Sequence, residues 1–166
     1  YIRQSPPERI MSLAKPFLEK AYPSYLELEK TTQGMEKIKK IIIALQDRIK
    51  TINEIVGLSD FFFNDEITYN KESVEKYLKE DGVLNILIKL KEVLFNVNPF
   101  TKENIEPAFR NLAKELGIKA GKVIHPARVA LTGRSDSPPM FDTVEIIGKE
   151  QSLKRLKNII HQLKSI

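Results

Sequence analysis

The sequence contains no cysteine and no long apolar run. Without cysteine the chain has no disulfide framework and no thiolate metal site, so we take a reducing compartment, the cytoplasm, as its setting. The longest unbroken apolar run, Ile41–Leu45, is far shorter than the roughly 20 residues that cross a membrane. We therefore expect no membrane contact.

Catalytic motifs are also missing. The segment Gly117–Val123 superficially resembles a phosphate-binding loop, but only three residues separate its glycines, and Val123 stands where a Mg²⁺-binding Ser or Thr belongs. His125 and His161 each lack a second ligand at metal-binding spacing. Carboxylates alternate with lysines at helix-pairing distances, which is typical of solvated ion pairs. We therefore expect no catalytic residue and no metal site in this chain.

Positive charge is present, and it is unevenly placed. Residues 1–100 contain 15 basic and 15 acidic side chains, whereas residues 101–166 contain 12 basic and 7 acidic ones. The whole net charge of +5 therefore lies in the last 66 residues. A basic segment beside a neutral one favours a polyanionic partner such as nucleic acid. A solubilising lysine-rich face would give the same balance, and charge alone leaves both interpretations open.

Apolar residues recur every three or four positions, which predicts helices and almost no strand. A first helix is predicted from the cap at Ser5 to about Ala21. An apolar stripe from Met35 to Val56 predicts one buried bundle helix, with a coiled-coil seam as the alternative. Starts of later helices are predicted at Asn70, Gly82, Thr101, Pro126 and Ser137. The expected fold class is all-α.

A break in the pattern at Asn96–Phe100 coincides with the change in charge balance. We therefore expect two small helical subdomains, residues 1–97 and residues 98–166, of which the second is basic. The last helix is predicted to turn its leucines and isoleucines inward. Its basic residues are predicted to lie mostly outside, namely Lys154, Arg155, Lys157 and Lys164.

One segment, His125–Phe141, departs from ordinary helix-and-loop chemistry. It is predicted as a helix, a glycine stop, a short polar loop, and a new helix capped by Ser137. The open N–H groups of that new helix would accept anionic or polar ligand atoms. Arg128 and Arg134 flank it with planar donors, and Pro138 and Met140 add apolar surface for an unstacked base. A nucleic-acid site and an ordinary helical corner both fit this chemistry.

The same region carries a set of short motifs. They are RVALTGR at Arg128–Arg134, Ser137-Pro138 followed by Phe141, GKE at Gly148–Glu150, and LKRL at Leu153–Leu156. This run resembles the C-terminal signature of the bacterial glutamyl-tRNA synthetases, of the form R-x-A-L-T-G … P-x-[LM]-F … G-K-E … L-x-R-L. Tyr1-Ile2-Arg3 and Leu45–Thr51 also resemble parts of that family, so the resemblance spans the chain.

The H-x-G-H-type and K-M-S-K-S-type motifs of class I synthetases are missing, so the resemblance is to the anticodon-binding region alone. It implies an all-α cage of two helical subdomains that grips the anticodon loop of the glutamate tRNA. The expected partners are this tRNA and an upstream catalytic domain of the same chain, and we expect a monomer. The whole enzyme would use ATP with Mg²⁺ to join glutamate to tRNA, whereas this part would bind no cofactor.

Basic site residues follow from the resemblance by position. Arg48 matches an arginine that faces the third anticodon base in some members, and Arg110 and Arg128 match basic residues that line the anticodon pocket. Arg134 replaces a smaller residue of some members, and we infer its role from its place in the loop. Some members carry glutamine in place of Arg48 and accept a second tRNA, so Arg48 favours a stricter enzyme.

Three further site residues follow in the same way. Ser137, Pro138 and Met140 match the loop and helix start against which splayed bases rest. Met140, like Ser135, stands where some members carry leucine. We therefore predict tRNA anticodon recognition within a glutamate–tRNA ligase. The alternative is a basic helical module that docks on an acidic protein; a self-contained enzyme would need a site that the sequence does not show.

Overall fold

A computed structural model of the chain describes residues 2–165. In these residues the backbone forms α-helices, one 3₁₀ turn and loops, and contains no strand, so the expected all-α class is confirmed. Tyr1, which begins the Tyr1-Ile2-Arg3 match, lies outside the described residues. The chain divides into two compact units between Glu66 and Ile67.

The first unit centres on one amphipathic helix. Its elements are a 3₁₀ turn (Ile2–Gln4), α1 (Pro7–Ala21), α2 (Pro23–Glu29), α3 (Thr32–Gln46), α4 (Glu54–Leu58) and α5 (Asp60–Phe63). Helix α3 packs against α1 and α2 and buries Ile38, Ile41, Ile42 and Leu45. The predicted first helix is confirmed in its end at Ala21, but its N-cap is Pro6 and not Ser5, and no side chain caps it.

Helices α2 and α3 approach each other closely at Gly34. A Cβ atom at this position would overlap the backbone carbonyl group of Leu28. The side chain of Thr31 caps α3 by accepting the Gly34 N–H at 2.9 Å. Glycine is therefore required here by space, because no side chain fits between the two backbones.

The prediction of one helix from Met35 to Val56 was wrong, because α3 ends at Gln46. The Gln46 amide donates at 2.6 Å to the carbonyl groups of both Ile2 and Ser5. Beyond it, the Glu54 carboxylate accepts the N–H groups of Lys50 and Thr51 at 2.5 Å and 3.0 Å. A carboxylate that reaches back to unpaired N–H groups starts a new helix, so the stripe is divided between α3 and α4.

The second unit contains six helices among the described residues. They are α6 (Lys71–Tyr77), α7 (Val83–Phe95), α8 (Lys102–Leu116), α9 (Gly121–Thr132), α10 (Met140–Ile147) and α11 (Lys149–Lys164). Helix α7 packs against α8, α9 and α11, while α9 also contacts α6, α8, α10 and α11. The predicted starts at Asn70, Gly82 and Thr101 agree with α6, α7 and α8.

The compact units divide about 30 residues before the expected boundary at 97/98. The buried Leu87, Leu90 and Leu94 of α7 belong to the core of the second unit, since α7 packs against the C-terminal helices. The change in charge balance near residue 98 gives no information on which helices pack together, so it does not mark the boundary between the compact units. The assignment of residues 1–97 and 98–166 as functional subdomains stays a prediction.

Helix α9 begins at Gly121, five residues before the predicted start at Pro126. Val123, Ala127 and Ala130 are fully buried at the spacing of one helix face, and this face begins before the proline. The N–H of Val123 already bonds to the Ala120 carbonyl at 3.0 Å. Pro126 therefore lies inside the helix, where it removes one backbone donor.

The close approach at Gly34 predicts a stability difference between two glycine substitutions. Gly34→Ala should lower the free energy of unfolding by about 1–3 kcal/mol, because the methyl group must push α2 away from α3. Gly57→Ala is the matched control: Gly57 lies in α4 with open space around it, and alanine there should stabilise the helix by about 0.5–1 kcal/mol. Urea unfolding followed by circular dichroism measures both; equal effects would contradict the close packing.

Candidate nucleic-acid interface

The two compact units differ in net charge. Residues 1–66 contain 10 basic and 10 acidic side chains, whereas residues 67–166 contain 17 basic and 12 acidic ones. The second unit therefore carries the entire net charge of +5. A polyanion would be attracted to this unit in preference to the first.

The turn at the end of α9 begins the loop that the sequence singled out. Gly133 ends the helix with φ 81°, a left-handed conformation that favours glycine, and its N–H bonds to the Val129 carbonyl at 2.8 Å. A Cβ atom on Gly133 would overlap the carbonyl group of Thr68. We call residues 133–139 the recognition loop.

Two other segments of the chain hold the end of α9, through the side chains of Tyr69 and Arg155 and the backbone N–H of Asn70. The Tyr69 hydroxyl donates to the Ala130 carbonyl, and the Arg155 guanidinium donates through Nη1 to the Leu131 carbonyl, both at 2.8 Å. The Asn70 N–H bonds to the Gly133 carbonyl at 2.8 Å. Burial raises the pKa of Tyr69 to about 12, because the ionised form would lose its hydration.

The prediction that Arg155 lies on the outside of the last helix was wrong. Only 4% of the residue is exposed, and its cation lies at the carbonyl end of α9. A helix C-terminus carries partial negative charge, so it is a favourable place for a buried guanidinium. The Leu153–Leu156 motif of the sequence therefore contributes a structural arginine.

Arg128 lies on α9 and is tied to the far side of the recognition loop. Its Nε donates to the Ser137 hydroxyl at 3.0 Å, and that hydroxyl donates to the Pro138 carbonyl at 2.9 Å. Ser137 is therefore not the predicted cap of α10, because its side chain is engaged elsewhere and Pro139 precedes the helix. The Arg128–Ser137 bond instead orients the guanidinium of Arg128.

The middle of the recognition loop is held from α9 and from α6. The Arg134 N–H bonds to the Thr132 hydroxyl at 3.3 Å, and the hydroxyl groups of Ser73 and Ser135 lie 3.1 Å apart. The side chain of Arg134 is half-buried and Ser135 is exposed. The middle of the loop is therefore attached to both helices by hydrogen bonds.

Pro138 and Met140 lie below the surface of the second unit. Both residues are buried, and only 4% of Met140 is exposed. In this conformation they offer little area on which a base could stack, contrary to the apolar surface expected from the sequence. Their role as binding residues stays a prediction.

Arg110 lies on α8 beside the first turn of α10. Its Nε is paired with the Glu106 carboxylate at 2.7 Å, and its guanidinium lies 5.6 Å from the ring centroid of Phe141. That ring meets the buried Phe109 edge to face, with centroids 5.3 Å apart. The packing therefore places Arg110 beside the first turn of α10, the helix that follows the recognition loop.

Helices α8 and α10 are also linked at the start of α8. The Lys102 ammonium lies 3.3 Å from the Asp142 carboxylate, and the Lys102 N–H bonds to Glu145 at 2.8 Å. The hydrogen bond and the charge of Asp142 raise the pKa of Lys102. Lys102 is therefore partly neutralised by acidic neighbours.

The predicted site residues are divided between the units. Six of them lie in the second unit: Arg110, Arg128, Arg134, Ser137, Pro138 and Met140. Arg48 lies in the first unit, exposed in the turn that follows α3. Sequence reasoning missed the anchoring roles of Tyr69, Ser73 and Arg155, although the Leu153–Leu156 motif contained one of them.

No group of three or more His, Cys, Asp or Glu side chains among residues 2–165 could share a metal ion. None of the helices in this part of the chain is long and apolar enough to span a membrane.

Comparison with known proteins gives a consistent assignment. The family model described as the anticodon binding domain matches residues 9–160. The chain is 35% identical over 160 residues to glutamate–tRNA ligase 1 of Caldanaerobacter subterraneus subsp. tengcongensis, and 35% identical over 159 residues to the glutamate–tRNA ligase of Bacillus subtilis. Each match covers 96% of this chain, which spans 32% of the relative's length.

A solved structure agrees with these relatives. The glutamate tRNA ligase from Elizabethkingia meningosepticum, crystallised in complex with its amino acid, matches with a TM-score of 0.83 and 25% identity. The match covers 98% of this chain and 30% of that one. Because the family model takes in nearly the whole sequence, the chain belongs to the anticodon-binding domain family, as its C-terminal motifs predicted.

Proposed function

We propose that this chain reads the anticodon loop of a tRNA as part of a glutamate–tRNA ligase. The observation that carries the proposal is the recognition loop, held in one conformation on the unit that has all the net positive charge. Proteins read RNA loops by splaying the bases and pairing their edges with side chains such as arginine. The relatives that match this chain are named glutamate–tRNA ligases, which supports glutamate tRNA as the substrate.

The roles of the site residues form part of this proposal. Arg128 and Arg110 would pair with base edges, because each guanidinium is oriented by a neighbouring side chain. Arg134 would contact the backbone or a base from within the loop. Arg48, exposed after α3, would contribute from the first unit. Ser137, Pro138 and Met140 would support the surface on which the bases rest.

The activity of a whole ligase is likewise a proposal for this chain. Glutamate activation with ATP and Mg²⁺ would belong to a catalytic domain of the same polypeptide, since this chain spans about a third of its relatives' length. Such an enzyme would act as a cytoplasmic monomer and, with arginine at position 48, would charge a single tRNA. The part described above would contribute recognition of the tRNA.

Binding should depend on salt. With about three to five lysines and arginines on phosphates, the logarithm of the association constant should fall with the logarithm of salt concentration at a slope of about −2 to −4. The measurement is fluorescence anisotropy of the chain with an anticodon stem-loop that carries the glutamate anticodon. An acidic protein serves as the competitor. A flat salt dependence, or stronger binding to the acidic competitor, would contradict RNA recognition.

Arg128 should carry base selectivity. Arg128→Ala should reduce the discrimination between the glutamate stem-loop and single-base variants by roughly 1–3 kcal/mol, which is the value of a two-point arginine–base contact. Arg128→Lys should restore charge without selectivity, because lysine lacks the planar fork. Lys157→Ala, at an exposed position of α11, is the control and should weaken all the RNAs equally. Equal weakening of every RNA by Arg128→Ala would show that Arg128 contacts phosphate or acts as scaffold.

The shape of the recognition loop should matter for binding. Gly133→Ala and Gly117→Ala both place alanine in a left-handed conformation, at a cost of about 1–2 kcal/mol of stability. Only Gly133→Ala also overlaps the Thr68 carbonyl, so it should displace the loop and weaken stem-loop binding. Urea unfolding and anisotropy compare the two variants. If both bind RNA like the unmodified chain, the loop is not the contact surface.

A further inference from the structure

The guanidinium of Arg110 is bounded on two sides by residues of its own unit. The Arg110 Nε donates at 2.7 Å to the carboxylate of Glu106, which lies one helical turn earlier on α8. The guanidinium carbon lies 5.6 Å from the ring centroid of Phe141. Phe141 is itself held by its edge-to-face contact with the buried Phe109. The orientation of Arg110 is therefore set by a carboxylate and by an aromatic ring that is packed against the core.

Stability does not explain this arrangement. The side chains of Arg110 and Glu106 are 55% and 47% exposed, and ion pairs this exposed contribute little to folding. A free arginine side chain samples many rotamers and loses that freedom when it binds a ligand. An arginine that already contacts a ring and a carboxylate loses less rotamer freedom when it binds a ligand. The arrangement is therefore better suited to ligand binding than to stabilising the fold.

We propose that Glu106 and Phe141 are positioning residues that prepare Arg110 to pair with the edge of a tRNA base. The inference rests on the proposed function. With Nε bonded to Glu106, the two terminal amino groups of Arg110 are the remaining pair of coplanar donors, and such a pair suits two acceptors of one base edge. The paired carboxylate offsets the positive charge, so the attraction of Arg110 to phosphate is weakened while its directional donors remain.

Weak attraction to phosphate together with directional donors distinguishes Arg110 from an ordinary phosphate-binding arginine. An unpaired arginine adds to the salt dependence of RNA binding, by about 0.7 in the slope for each single-strand phosphate that it neutralises. An arginine neutralised by Glu106 adds little to that slope and contributes selectivity instead. Loss of Glu106 should therefore change the behaviour of Arg110 from base reading to phosphate attraction.

The experiment measures binding of the 166-residue chain to anticodon stem-loops by anisotropy. The RNAs carry either the glutamate anticodon or single-base changes, and each is titrated at several salt concentrations. The variants are Glu106→Gln, Phe141→Leu, Phe141→Tyr and Arg110→Ala, together with the double variant Glu106→Gln/Arg110→Ala. Glu115→Gln is the matched control, because it removes the same charge from an exposed position of α8.

Glu106→Gln should reduce base discrimination about fivefold and steepen the salt slope by about 0.7, whereas Glu115→Gln should leave discrimination unchanged. Phe141→Leu should also reduce base discrimination. Phe141→Tyr should keep the discrimination of the unmodified chain, because the aromatic ring is retained. In the Arg110→Ala background, Glu106→Gln should have no further effect on discrimination, as expected for a residue that acts through Arg110.

Three results would overturn the inference, and they are distinguishable. If the unmodified chain discriminates between the RNAs but Glu106→Gln leaves discrimination and slope unchanged, Glu106 does not position Arg110 and the proposed function stands. If Glu106→Gln acts equally with and without Arg110, its role is structural. If the unmodified chain shows neither selective nor salt-dependent binding, the proposed function fails as well. Circular dichroism checks the folding of Phe141→Leu, and Glu106→Gln tests the inference independently of it.

Discussion

The second unit depends on satisfying the carbonyl groups at the end of α9. A helix leaves its last four carbonyl groups without partners inside the helix, and here residues 129–132 are buried away from water. A buried carbonyl that lacks a donor costs about 1–3 kcal/mol. Gly133, Tyr69 and Arg155 supply the donors, and they come from three parts of the chain. The end of α9 is thus held by its own cap residue and by side chains that lie far before and after it in the sequence.

This constraint also determines the loop that follows. Because Gly133 must turn in a left-handed conformation close to the backbone of Thr68, residues 133–139 leave α9 in one direction. The Arg128–Ser137 bond then holds the far side of the loop against the same helix. A surface that is ordered before binding avoids the entropy cost of ordering during binding. The buried end of α9 and the conformation of the recognition loop thus depend on the same set of contacts.

The arginines of the second unit show how packing assigns different roles to one residue type. Arg155 is buried at a helix C-terminus and holds the fold together. Arg128 is half-buried and is oriented by a hydroxyl group. Arg110 is exposed, stacked on an aromatic ring and paired with a carboxylate. Guanidinium groups suit all three environments because they combine a flat face with directional donors.

The sequence by itself determined the helical class, most of the helices and the location of the charge. These properties are local: apolar spacing sets helix faces, caps such as Asn70 set helix starts, and charge can be counted. The C-terminal motifs also pointed to the recognition loop and to the family. Arg110 and Arg128 could be singled out by position, although their partners Glu106 and Ser137 could not.

Tertiary structure decided the rest, because it depends on contacts between distant residues. The stripe from Met35 to Val56 is divided because Gln46 bonds to Ile2 and Ser5, which lie more than 40 positions away. The unit boundary lies at Glu66 because α7 packs on helices that follow it in the chain. Arg155 is buried because the end of α9 needs a donor there. Periodicity determines which face of a helix is apolar. Only the tertiary packing determines which polar groups become buried and need a hydrogen-bond partner from another element.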